Sequence, residues 1–595
     1  MSENMEGVKG RVAKVDLSTE KVSIETTTEE SMKKFLGGRG LAAKMMLENV
    51  EAGIDTLSPE NMLVFATGPI AGTGVQGSDR LCIAAKSPLT GLFFHSSMGG
   101  RFASTLKQAG YDALVIMGKA DKPKYVLVDK EHIEICNGER LMGKAPKEVL
   151  ATLSREMRHF EVCTTGVAAD NSVRYANIVH PRLNGRDGVA GRGGLGAVMA
   201  SKNLKAIVVN RGENRGVSVF SNALLKEVKK TIQGSLNVAT KHLTTLGTPF
   251  GIRVLNDMGA LGTKNLTEEI FKHAENISGE KLKDQYYRKN IGCHSCPVLC
   301  GKICELGNGL YKNPEYETLF ALGSMVGVDD LDKIIKANNL CDEFGLDTIS
   351  MGVSIAFAIE CFESGILSQE QADGHKLSFG NGDLVLTLIE ETAYRRGLGR
   401  LLAEGTKRMS QILGGEAWKY AYQVKGLELP GHSARALKGM SIGYATGARG
   451  GSHQDARPRY GPGMSDYKDK VAQAITSQNL SAVGDSLIQC RFVMEAGCGI
   501  EFSNIYTDLI KATVGWRPDT VELNEIGERI CNTERIFNVR EGVSRKDDVL
   551  PYRVMYEEIP QGPLKGQRTP SDKLEEMLDN YYQRRGWDEN GIPSR

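Results

Sequence analysis

A group of cysteines in the middle of the chain has the spacing of a metal site. Cys293, Cys296 and Cys300 form a C-x2-C-x3-C run, and Cys304 follows four residues later. Three thiolates within eight residues let one loop bind three corners of an iron–sulfur cubane, with a fourth ligand from nearby or from a distant segment. Cys304 and the distant Cys490 are the candidates, and spacing alone slightly favours Cys304. A zinc site is the main alternative, although no second close cysteine pair follows at the expected distance. A further alternative is that these cysteines bind no metal and lie in the protein core.

Two glycine-rich segments could bind an anion. The residues at 191–196, Gly-Arg-Gly-Gly-Leu-Gly, fit G-x-G-x-x-G ahead of a helical segment, a pattern associated with dinucleotides. The sequence predicts no strand before this segment, and no acidic residue ends a second strand about 20 residues later, which disfavours a Rossmann site. Backbone amides at a helix start, beside Arg192 and Arg186, would still bind a phosphate. The Ser-Ser-Met-Gly-Gly-Arg turn at 96–101 could bind an anion in the same way. For both segments, the alternative is a tight turn that binds no ligand.

Glu317 and His453 are candidates for acid–base chemistry. Glu317 lies in the apolar stretch Tyr-Glu-Thr-Leu-Phe-Ala-Leu, where burial would raise the pKa of its carboxyl towards the range of a general base. His453 lies alone in a glycine-rich loop. For both residues a structural role, such as a capping glutamate or a hydrogen-bonded histidine, is the alternative.

Further motifs lie along the whole chain. They are Phe35-Leu-Gly-Gly-Arg-Gly-Leu-Ala, Leu57-Ser-Pro-Glu-Asn, Lys86-Ser-Pro-Leu-Thr-Gly, the segment 190–207, Asn313-Pro-Glu-Tyr-Glu-Thr-Leu, Cys341-Asp-Glu-Phe-Gly-Leu-Asp-Thr-Ile-Ser, Gly450-Gly-Ser-His, the segment 485–490 and Tyr581-Tyr-Gln-Arg-Arg-Gly-Trp. Together with the cysteine loop, and in this order, they resemble the tungsten-dependent aldehyde ferredoxin oxidoreductase family. The resemblance covers the chain from end to end.

The resemblance implies an α+β fold in three domains. A β-rich N-terminal base of two sheets, residues 1–213, would carry a bis-pterin cofactor, and two mainly helical domains, 214–420 and 421–595, would cap it. Two molybdopterins would hold one tungsten (or molybdenum) beside one [4Fe-4S] cluster, with magnesium at the pterin phosphates. The resemblance implies four cysteine ligands for the cluster, and Cys304, which spacing alone slightly favoured, is not among them. They are Cys293, Cys296, Cys300 and Cys490.

The resemblance also implies which residues contact the cofactor. The Asp-x-x-Gly-Leu-Asp pterin loop matches the segment 342–347, and Asp485 begins the second such loop. Arg80 would lie between a pterin and the cluster, and several glycines with Arg192 would approach the phosphates. The full set is Arg80, Gly99, Gly100, Gly191, Arg192, Gly193, Gly194, Asp342, Gly345, Leu346, Asp347 and Asp485.

Glu317 and His453 fall on the family's two active-site positions. The implied reaction oxidises an aldehyde to the carboxylic acid: Glu317 deprotonates the attacking water or hydrate, and His453 hydrogen-bonds an oxygen at the reacting centre. Electrons would leave through pterin and cluster to ferredoxin or to an iron–sulfur partner subunit.

Several positions depart from the family pattern. The Glu-x-x-His pair that binds an iron between subunits falls on Lys336 and Asn339, which are not plausible ligands, so the archetypal dimer is unsupported and the oligomeric state stays open. The second pterin loop ends Ile-Gln-Cys at 488–490 instead of Gly-Leu-Cys. After Pro430, where aromatic and acidic residues are common, stands Gly-His-Ser, and His432 could line the substrate pocket or lie on the surface. The pattern indicates a divergent branch whose substrate need not be a simple aldehyde.

Two other functions compete with aldehyde oxidation. A reductive relative, such as the tungsten subunit of benzoyl-CoA reductase, resembles this chain in the same motifs but binds tungsten through a protein cysteine. No cysteine lies between Cys163 and Cys293, which counts against that function. An electron-transfer or scaffold subunit with a cluster but no tungsten is disfavoured because both pterin loops, Glu317 and His453 are present.

Length, charge and composition limit the class of protein. The 595 residues exceed one hydrophobic core and fit roughly two to four domains. Lys and Arg (74) balance Asp and Glu (73), leaving a net charge of +1, which excludes binding to nucleic acid or acidic membranes by bulk charge. No apolar run reaches the roughly 18 residues of a membrane span, and the N-terminus lacks a secretory signal. We therefore expect a cytoplasmic protein, in which 12 cysteines indicate metal ligation or redox work rather than a disulfide framework.

Hydrophobic periodicity separates a strand-rich region from a helical one. Short alternating runs before residue 213 predict strands at 8–22, 62–67, 81–85, 113–117, 125–128 and 205–210, followed by a polar linker at 211–216. Apolar residues at i, i+3 and i+4 predict helices at 223–232, 331–343, 350–363, 383–395 and 574–586. Strands first and helices afterwards indicate an α+β plan.

Overall fold

The first 210 residues build two six-stranded β-sheets. The computed structural model describes residue 8 and residues 10–130, 132–211, 216–457 and 460–594, so most of the predicted linker lies outside the described residues. The first sheet has the order β2-β1-β6-β3-β4-β5, and the second has the order β11-β10-β9-β12-β7-β8. The strands are β1 (Arg11–Asp16), β2 (Lys21–Thr26), β3 (Leu63–Ala66), β4 (Arg80–Lys86), β5 (Phe93–Gly99), β6 (Ala113–Met117), β7 (Lys124–Val128), β8 (Ile133–Asn137), β9 (Phe160–Thr165), β10 (Ile178–His180), β11 (Gly188–Ala190), β12 (Leu204–Asn210), β13 (Tyr287–Ile291), β14 (Gly301–Leu306), β15 (Gly309–Lys312), β16 (Gln423–Val424) and β17 (Leu427–Glu428).

Helices dominate the chain after the two sheets. They are α1 (Glu29–Phe35), α2 (Gly38–Asn49), α3 (Phe102–Gln108), α4 (Pro146–Leu153), α5 (Val167–Asp170), α6 (Leu195–Ser201), α7 (Asn222–Ala239), α8 (Lys241–Leu246), α9 (Gly251–Asp257), α10 (Gly279–Tyr286), α11 (Tyr316–Ala321), α12 (Leu331–Phe344), α13 (Thr348–Glu363), α14 (Gly382–Ala393), α15 (Gly399–Leu402), α16 (Thr406–Leu413), α17 (Lys438–Thr446), α18 (Lys470–Leu487), α19 (Arg491–Val493), α20 (Asn504–Val514), α21 (Thr520–Arg540), α22 (Tyr552–Tyr556) and α23 (Ser571–Arg585). The α+β class is confirmed. Within the described ranges, no helix has both the length and the apolar character of a membrane span.

Most of the predicted helices and strands are present, and the differences lie mainly at their ends. Helices α12, α13, α14 and α23 end within three residues of the predicted positions. The run at 8–22 contains two strands rather than one, because Asp16 accepts a hydrogen bond from the N–H of Ser18 (2.9 Å) and Glu20 takes a φ of 52° in a tight turn. Helix α7 continues well beyond the predicted residue 232, and Leu236 is buried on its last turns.

Glycines let α2 lie directly against the end of α18. Gly38 has a φ of 37°, and a Cβ there would overlap the carbonyl oxygen of Asp485. A Cβ on Gly68 would likewise meet the backbone of Leu487. Because no side chain intervenes, the start of α2 and the carboxyl end of α18 share one surface. The Leu-Gly-Gly-Arg-Gly motif therefore positions Asp485.

The Asp-Glu-Phe-Gly-Leu-Asp segment is the junction between two helices. Gly345 ends α12 in the left-handed region (φ 75°), and its N–H donates to the carbonyl of Cys341 at 2.9 Å. Asp347 caps α13 by accepting from the N–H of Ile349 at 3.0 Å. This junction fixes the spacing of the two aspartates, Asp342 on the last turn of α12 and Asp347 before α13.

Candidate active site

Four cysteines converge on one small cavity, which we call the cysteine cavity. They are Cys293, Cys296, Cys300 and Cys490. The first three belong to the loop between β13 and β14, which bends sharply because Ser295 takes a φ of 54°. Cys490 reaches the loop from the end of α18, and its N–H donates to the carbonyl of Gly77 at 2.8 Å.

Cys304 does not line the cysteine cavity. It lies on β14 with its thiol 3.5 Å from the carbonyl oxygen of Tyr311. Cys490 joins the cysteine loop from a distant part of the chain, which spacing alone could not reveal. The four thiols that meet are therefore those that the resemblance implied.

The surroundings of the four thiols suit a group that binds thiolates. Burial raises the pKa of Cys296 to about 12 and that of Cys300 to about 11, so these thiols ionise only for a strong electrophile such as a metal. Arg186 donates to Cys300 Sγ at 3.3 Å, as expected beside a negatively charged cluster. A Cβ on Gly301 would collide with this guanidinium, which explains the glycine after Cys300.

A larger space, the central cavity, collects most of the other predicted residues. Its volume is about 330 Å³. The predicted residues in its lining are Arg80, Gly191, Arg192, Asp342, Leu346, Asp347, Asp485, Glu317, His453 and Cys490. Arg80 and Cys490 also line the cysteine cavity and, together with Phe492, form a shared wall between the two spaces.

The three aspartates of the central cavity have basic partners. Asp347 lies 3.0 Å from Arg192 Nε, and Asp485 lies 3.5 Å from Arg39 Nη1. Asp342 forms an ion pair with Lys312 at 3.0 Å. Sequence reasoning missed Lys312. The sequence feature that could have revealed it is a lysine directly before the Asn-Pro-Glu motif. A buried carboxylate such as Asp342 needs a countercharge, which this lysine provides.

Five of the predicted glycines do not line the central cavity. They are Gly99, Gly100, Gly193, Gly194 and Gly345. A Cβ on Gly99 would lie 3.0 Å from Cys293 Sγ, and one on Gly100 would overlap the ring of His180. Gly193 and Gly194 take φ of 83° and 74° where the chain packs against its neighbours. In the described structure these glycines permit close backbone packing around the cavity walls.

A second cavity, the apolar cavity, meets the central cavity at the predicted catalytic pair. Its volume is also about 330 Å³. The residues lining it are Thr248, Phe250, Gly251, Val254, Leu255, Glu315, Tyr316, Glu317, His432, His453, Gln454, Arg457, Tyr460 and Phe492. Glu317 and His453 line both cavities, so they stand where a molecule in one space would meet a molecule in the other.

Glu317 is held by two groups of one loop. The N–H of Gly431 donates to its Oε2 at 2.8 Å, and His432 Nε2 lies 3.2 Å from its Oε1. His453 Nε2 lies 3.6 Å from the same oxygen. Burial, the largest influence, raises the pKa of Glu317, but the two imidazoles and the Gly431 N–H outweigh it and bring the pKa to about 2. The expectation of a raised pKa is therefore wrong, because the sequence did not show these neighbours.

The two histidines differ in their surroundings. Burial lowers the pKa of His453 well below its ordinary value, which makes it a neutral imidazole at pH 7. His432 Nδ1 lies 2.8 Å from the hydroxyl of Tyr460, and this tyrosine is 43% exposed. The ligand atoms of Glu317, His432 and His453 also lie within 4.8 Å of one another, close enough to hold a cation.

An ion pair fixes the loop that carries His453. Arg449 Nη2 lies 2.6 Å from Asp455 Oδ1, and Arg449 Nη1 donates to the carbonyl of His95 on β5 at 2.8 Å. A Cβ on Gly450 would overlap the carbonyl of Val424. The loop that carries His453 is thus anchored to β5 through Arg449.

Comparison with known proteins identifies the family. The model of the aldehyde ferredoxin oxidoreductase N-terminal domain matches residues 12–211, and the model of domains 2 and 3 matches residues 223–595. The chain belongs to the aldehyde ferredoxin oxidoreductase family. It is 38% identical to a tungsten-containing aldehyde ferredoxin oxidoreductase of Pyrococcus furiosus, over 99% of this chain and 97% of the relative.

Other relatives have different names. The chain is 31% identical to the WOR-like subunit of an aliphatic sulfonate oxidoreductase of the same organism, over 98% of this chain and 95% of the relative. The active-site complex BamBC of benzoyl coenzyme A reductase, solved with 1,5-dienoyl-CoA, has a TM-score of 0.84 and 25% identity, covering 99% of this chain and 96% of that chain. Proteins similar to this chain are thus named for more than one substrate class.

Proposed function

We propose that this oxidoreductase converts an aldehyde to the carboxylic acid at a tungsten (or molybdenum) bis-molybdopterin centre. Electrons would pass through one [4Fe-4S] cluster to ferredoxin or to an iron–sulfur partner subunit. The observation that carries the proposal is the position of Glu317 and His453 in the linings of both the central and the apolar cavity. A cofactor in the central cavity and an organic substrate in the apolar cavity would meet at these two side chains.

The residues of the central cavity suit a bis-pterin cofactor. The carboxylates of Asp342, Asp347 and Asp485 can accept hydrogen bonds from the N–H donors of pterin rings. Arg80, on the wall shared with the cysteine cavity, would lie between a pterin and the cluster. Such a cofactor would supply the acceptor for the two electrons that the oxidation releases. Magnesium at the pterin phosphates rests on the resemblance alone.

Glu317 would handle the water that attacks the aldehyde carbonyl. The balanced reaction is RCHO + H2O → RCOOH + 2 H⁺ + 2 e⁻. Because its pKa is about 2, Glu317 is ionised at pH 7 and accepts a hydrogen bond from the attacking water, which it orients and begins to deprotonate. Such a weak base does not keep the proton. The imidazoles of His432 and His453, which lie closest to the carboxylate, would accept it.

His453 would act on the oxygen of the substrate. As a neutral imidazole it keeps one N–H, and it lines both cavities. A hydrogen bond from this N–H to the carbonyl oxygen would stabilise the negative charge that develops on attack.

The apolar cavity suits an uncharged aldehyde. Phe250, Val254, Leu255 and Phe492 supply aliphatic and aromatic surface beside the reacting centre. Such walls bury an apolar side chain favourably, by about 25 cal/mol for each Å² removed from water. We therefore place aromatic and medium-length aliphatic aldehydes ahead of sugar-derived or charged ones.

A metal analysis combined with an aldehyde screen tests the proposal. Protein purified anaerobically should contain one tungsten or molybdenum and about four irons with matching acid-labile sulfide, and it should reduce a viologen dye when an apolar aldehyde is added. Iron with neither tungsten nor molybdenum in fully loaded preparations would refute the proposal and leave an electron-transfer subunit.

Reduction of an aromatic CoA thioester is the second candidate, favoured by the structural likeness to BamBC. One observation opposes it. Among the described residues that line the central and apolar cavities, the single cysteine is Cys490, which also faces the cysteine cavity. Incubation with benzoyl-CoA and a low-potential reductant decides the matter. Formation of a dienoyl-CoA, with no aldehyde oxidation, would favour this candidate.

A further inference from the structure

A third cavity, the basic cavity, opens beside the cysteine cavity. Its volume is about 580 Å³. Six basic side chains line it, namely Arg101, Arg158, Arg182, Arg211, His159 and His294. Glu161 is the one acidic residue among the described residues of this lining. Neither the proposed aldehyde site nor the pterin residues use this space, since the basic cavity shares no lining residue with the central or apolar cavity.

Most of the positive charge in the basic cavity is uncompensated. Glu161 is 7% exposed and pairs with Arg211 at 2.5 Å and with His180 at 3.2 Å. Among the ion pairs between described residues, none involves Arg101, Arg158 or Arg182. The guanidinium of Arg182 donates to the carbonyl of Arg186 at 3.4 Å, and His294 pairs with Asp79 at 2.7 Å. The cavity therefore presents three arginines that form no ion pair with a described carboxylate.

The lining of the basic cavity contains one residue of the cysteine loop and adjoins two segments that approach its thiols. His294 lies between two of the cysteines, and its side chain is 41% exposed. Arg101 follows the Gly99-Gly100 turn, where Gly99 packs against Cys293 Sγ. The segment 181–184, which is also in the lining, ends two residues before Arg186, which donates to Cys300 Sγ. The basic cavity is thus an accessible surface built on the same segments that enclose the four thiols.

We propose that the basic cavity is the docking surface for an acidic iron–sulfur electron carrier. The inference rests on the proposed function, because it assumes a cluster in the cysteine cavity. Each encounter would move one electron, oxidising the cluster of this protein and reducing the carrier, so one aldehyde oxidation requires two encounters with a one-electron carrier.

Charge and surface chemistry both favour this occupant. The chain as a whole carries a net charge of +1, so attraction of an acidic protein must come from a local patch such as this one. Leu183, on the rim, is 89% exposed and offers an apolar contact beside the arginines. Redox complexes of this kind are small and transient, and opposite charges steer the encounter.

Charge reversal at the rim tests the proposal. Arg158 is exposed and lines the cavity, whereas Arg155, three residues earlier, is exposed but lies outside the lining and serves as a matched control. We would measure binding of an acidic bacterial-type ferredoxin to the holoenzyme by calorimetry at low ionic strength. Arg158→Glu should raise Kd about tenfold and flatten its dependence on salt, while Arg155→Glu should change Kd less than about twofold.

Turnover with two acceptors separates this proposal from the proposed function. With Arg158→Glu, the KM for ferredoxin should rise while activity with a small viologen dye and the metal content stay within about twofold of the parent protein. Equal ferredoxin binding by the parent protein, Arg158→Glu and Arg155→Glu would overturn the docking surface. A parent protein that oxidises no aldehyde with the dye would refute the proposed function, and the binding measurement, which needs no turnover, would still decide the docking.

Discussion

Oε1 of Glu317 lies 3.2 Å from Nε2 of His432. The residue before this histidine, Gly431, donates its N–H to the other carboxylate oxygen, so two consecutive residues grip the carboxylate from both ends. The ring of Tyr316, which precedes Glu317, lies 5.4 Å from the ring of His432 and keeps the two segments aligned. Glu317 is therefore both ionised and fixed in orientation at the junction of the central and apolar cavities.

Replacing Glu317 with glutamine should abolish most of the turnover. The amide keeps the size of the side chain but cannot accept a proton, and general-base catalysis contributes roughly 10²–10⁴-fold. We expect kcat with a viologen dye to fall at least about 100-fold. Tungsten and iron contents, measured by plasma mass spectrometry, should be unchanged. Activity within tenfold of the parent protein, at full metal content, would contradict the role of Glu317.

Removing His432 should shift the pH dependence of turnover. Glu317 works in its ionised form, and His432 helps to hold the pKa of that carboxyl below its usual range. His432→Phe takes this support away, so the pKa should rise and the acid limb of kcat/KM should move to higher pH. The carboxylate is populated only above its pKa, so activity is lost earlier as the pH falls.

A matched variant separates this effect from damage to the fold. His432→Gln keeps an N–H donor near Glu317 and should restore much of the acid limb, whereas Phe cannot. The measurement is kcat/KM for one aldehyde from pH 3 to pH 9, with the dye as acceptor; the parent protein, whose Glu317 has a pKa of about 2, should show little acid loss in this range. Identical profiles for the Phe and Gln variants would show that the hydrogen bond to Glu317 is not what His432 supplies.

The two candidate cluster cysteines should behave differently when changed to serine. Cys490 lines the cysteine cavity, while Cys304 is buried on β14 and lies outside that lining. Cys490→Ser should lose most of the cluster, seen as a fall in iron and in the electron paramagnetic resonance signal of the reduced protein. Cys304→Ser should keep about four irons per chain. Loss of the cluster in the Cys304 variant alone would reverse this assignment.

Gly38→Ala should destabilise the protein far more than Gly53→Ala. Both glycines have positive φ, 37° and 77°, so both substitutions strain the backbone by about 1–2 kcal/mol. At Gly38 the new Cβ would also overlap the carbonyl of Asp485, whereas at Gly53 nothing lies within 4 Å. We expect a total loss of about 3 kcal/mol or more for Gly38→Ala, measured by denaturant unfolding of the cofactor-free protein. Equal losses in the two variants would mean that the α2–α18 contact adjusts freely.

Sequence reasoning predicted the local features of this protein well. Helix α12 ends within one residue of the predicted position, because its apolar period and its C-terminal glycine are both local signals. The Asp-x-x-Gly-Leu-Asp motif likewise proved to be one compact junction, with Gly345 ending one helix and Asp347 beginning the next. Features of this kind depend on neighbours in the sequence, which the reader of a sequence can see.

Features that depend on distant neighbours could not be predicted from periodicity and spacing, although the family resemblance did supply Cys490. The low pKa of Glu317 comes from His432 and His453, more than 100 residues later, and no periodicity shows that these side chains meet. The pairing of Lys312 with Asp342 and the choice of Cys490 over Cys304 have the same origin. Short strands such as β10 and β11, three residues each, offer too few residues for an alternating pattern.

The contact of α2 with the end of α18 has a consequence for how the enzyme is made. Arg39, on α2, reaches forward to Glu534 at 2.7 Å and to Asp485 at 3.5 Å, and Cys490 joins the cysteine loop from the same region. A nascent chain emerging from the ribosome therefore lacks a complete receptor for metal or pterin until its last quarter has been synthesised. Under the proposed function, a protein truncated before residue 485 should therefore bind neither the pterin cofactor nor a complete cluster.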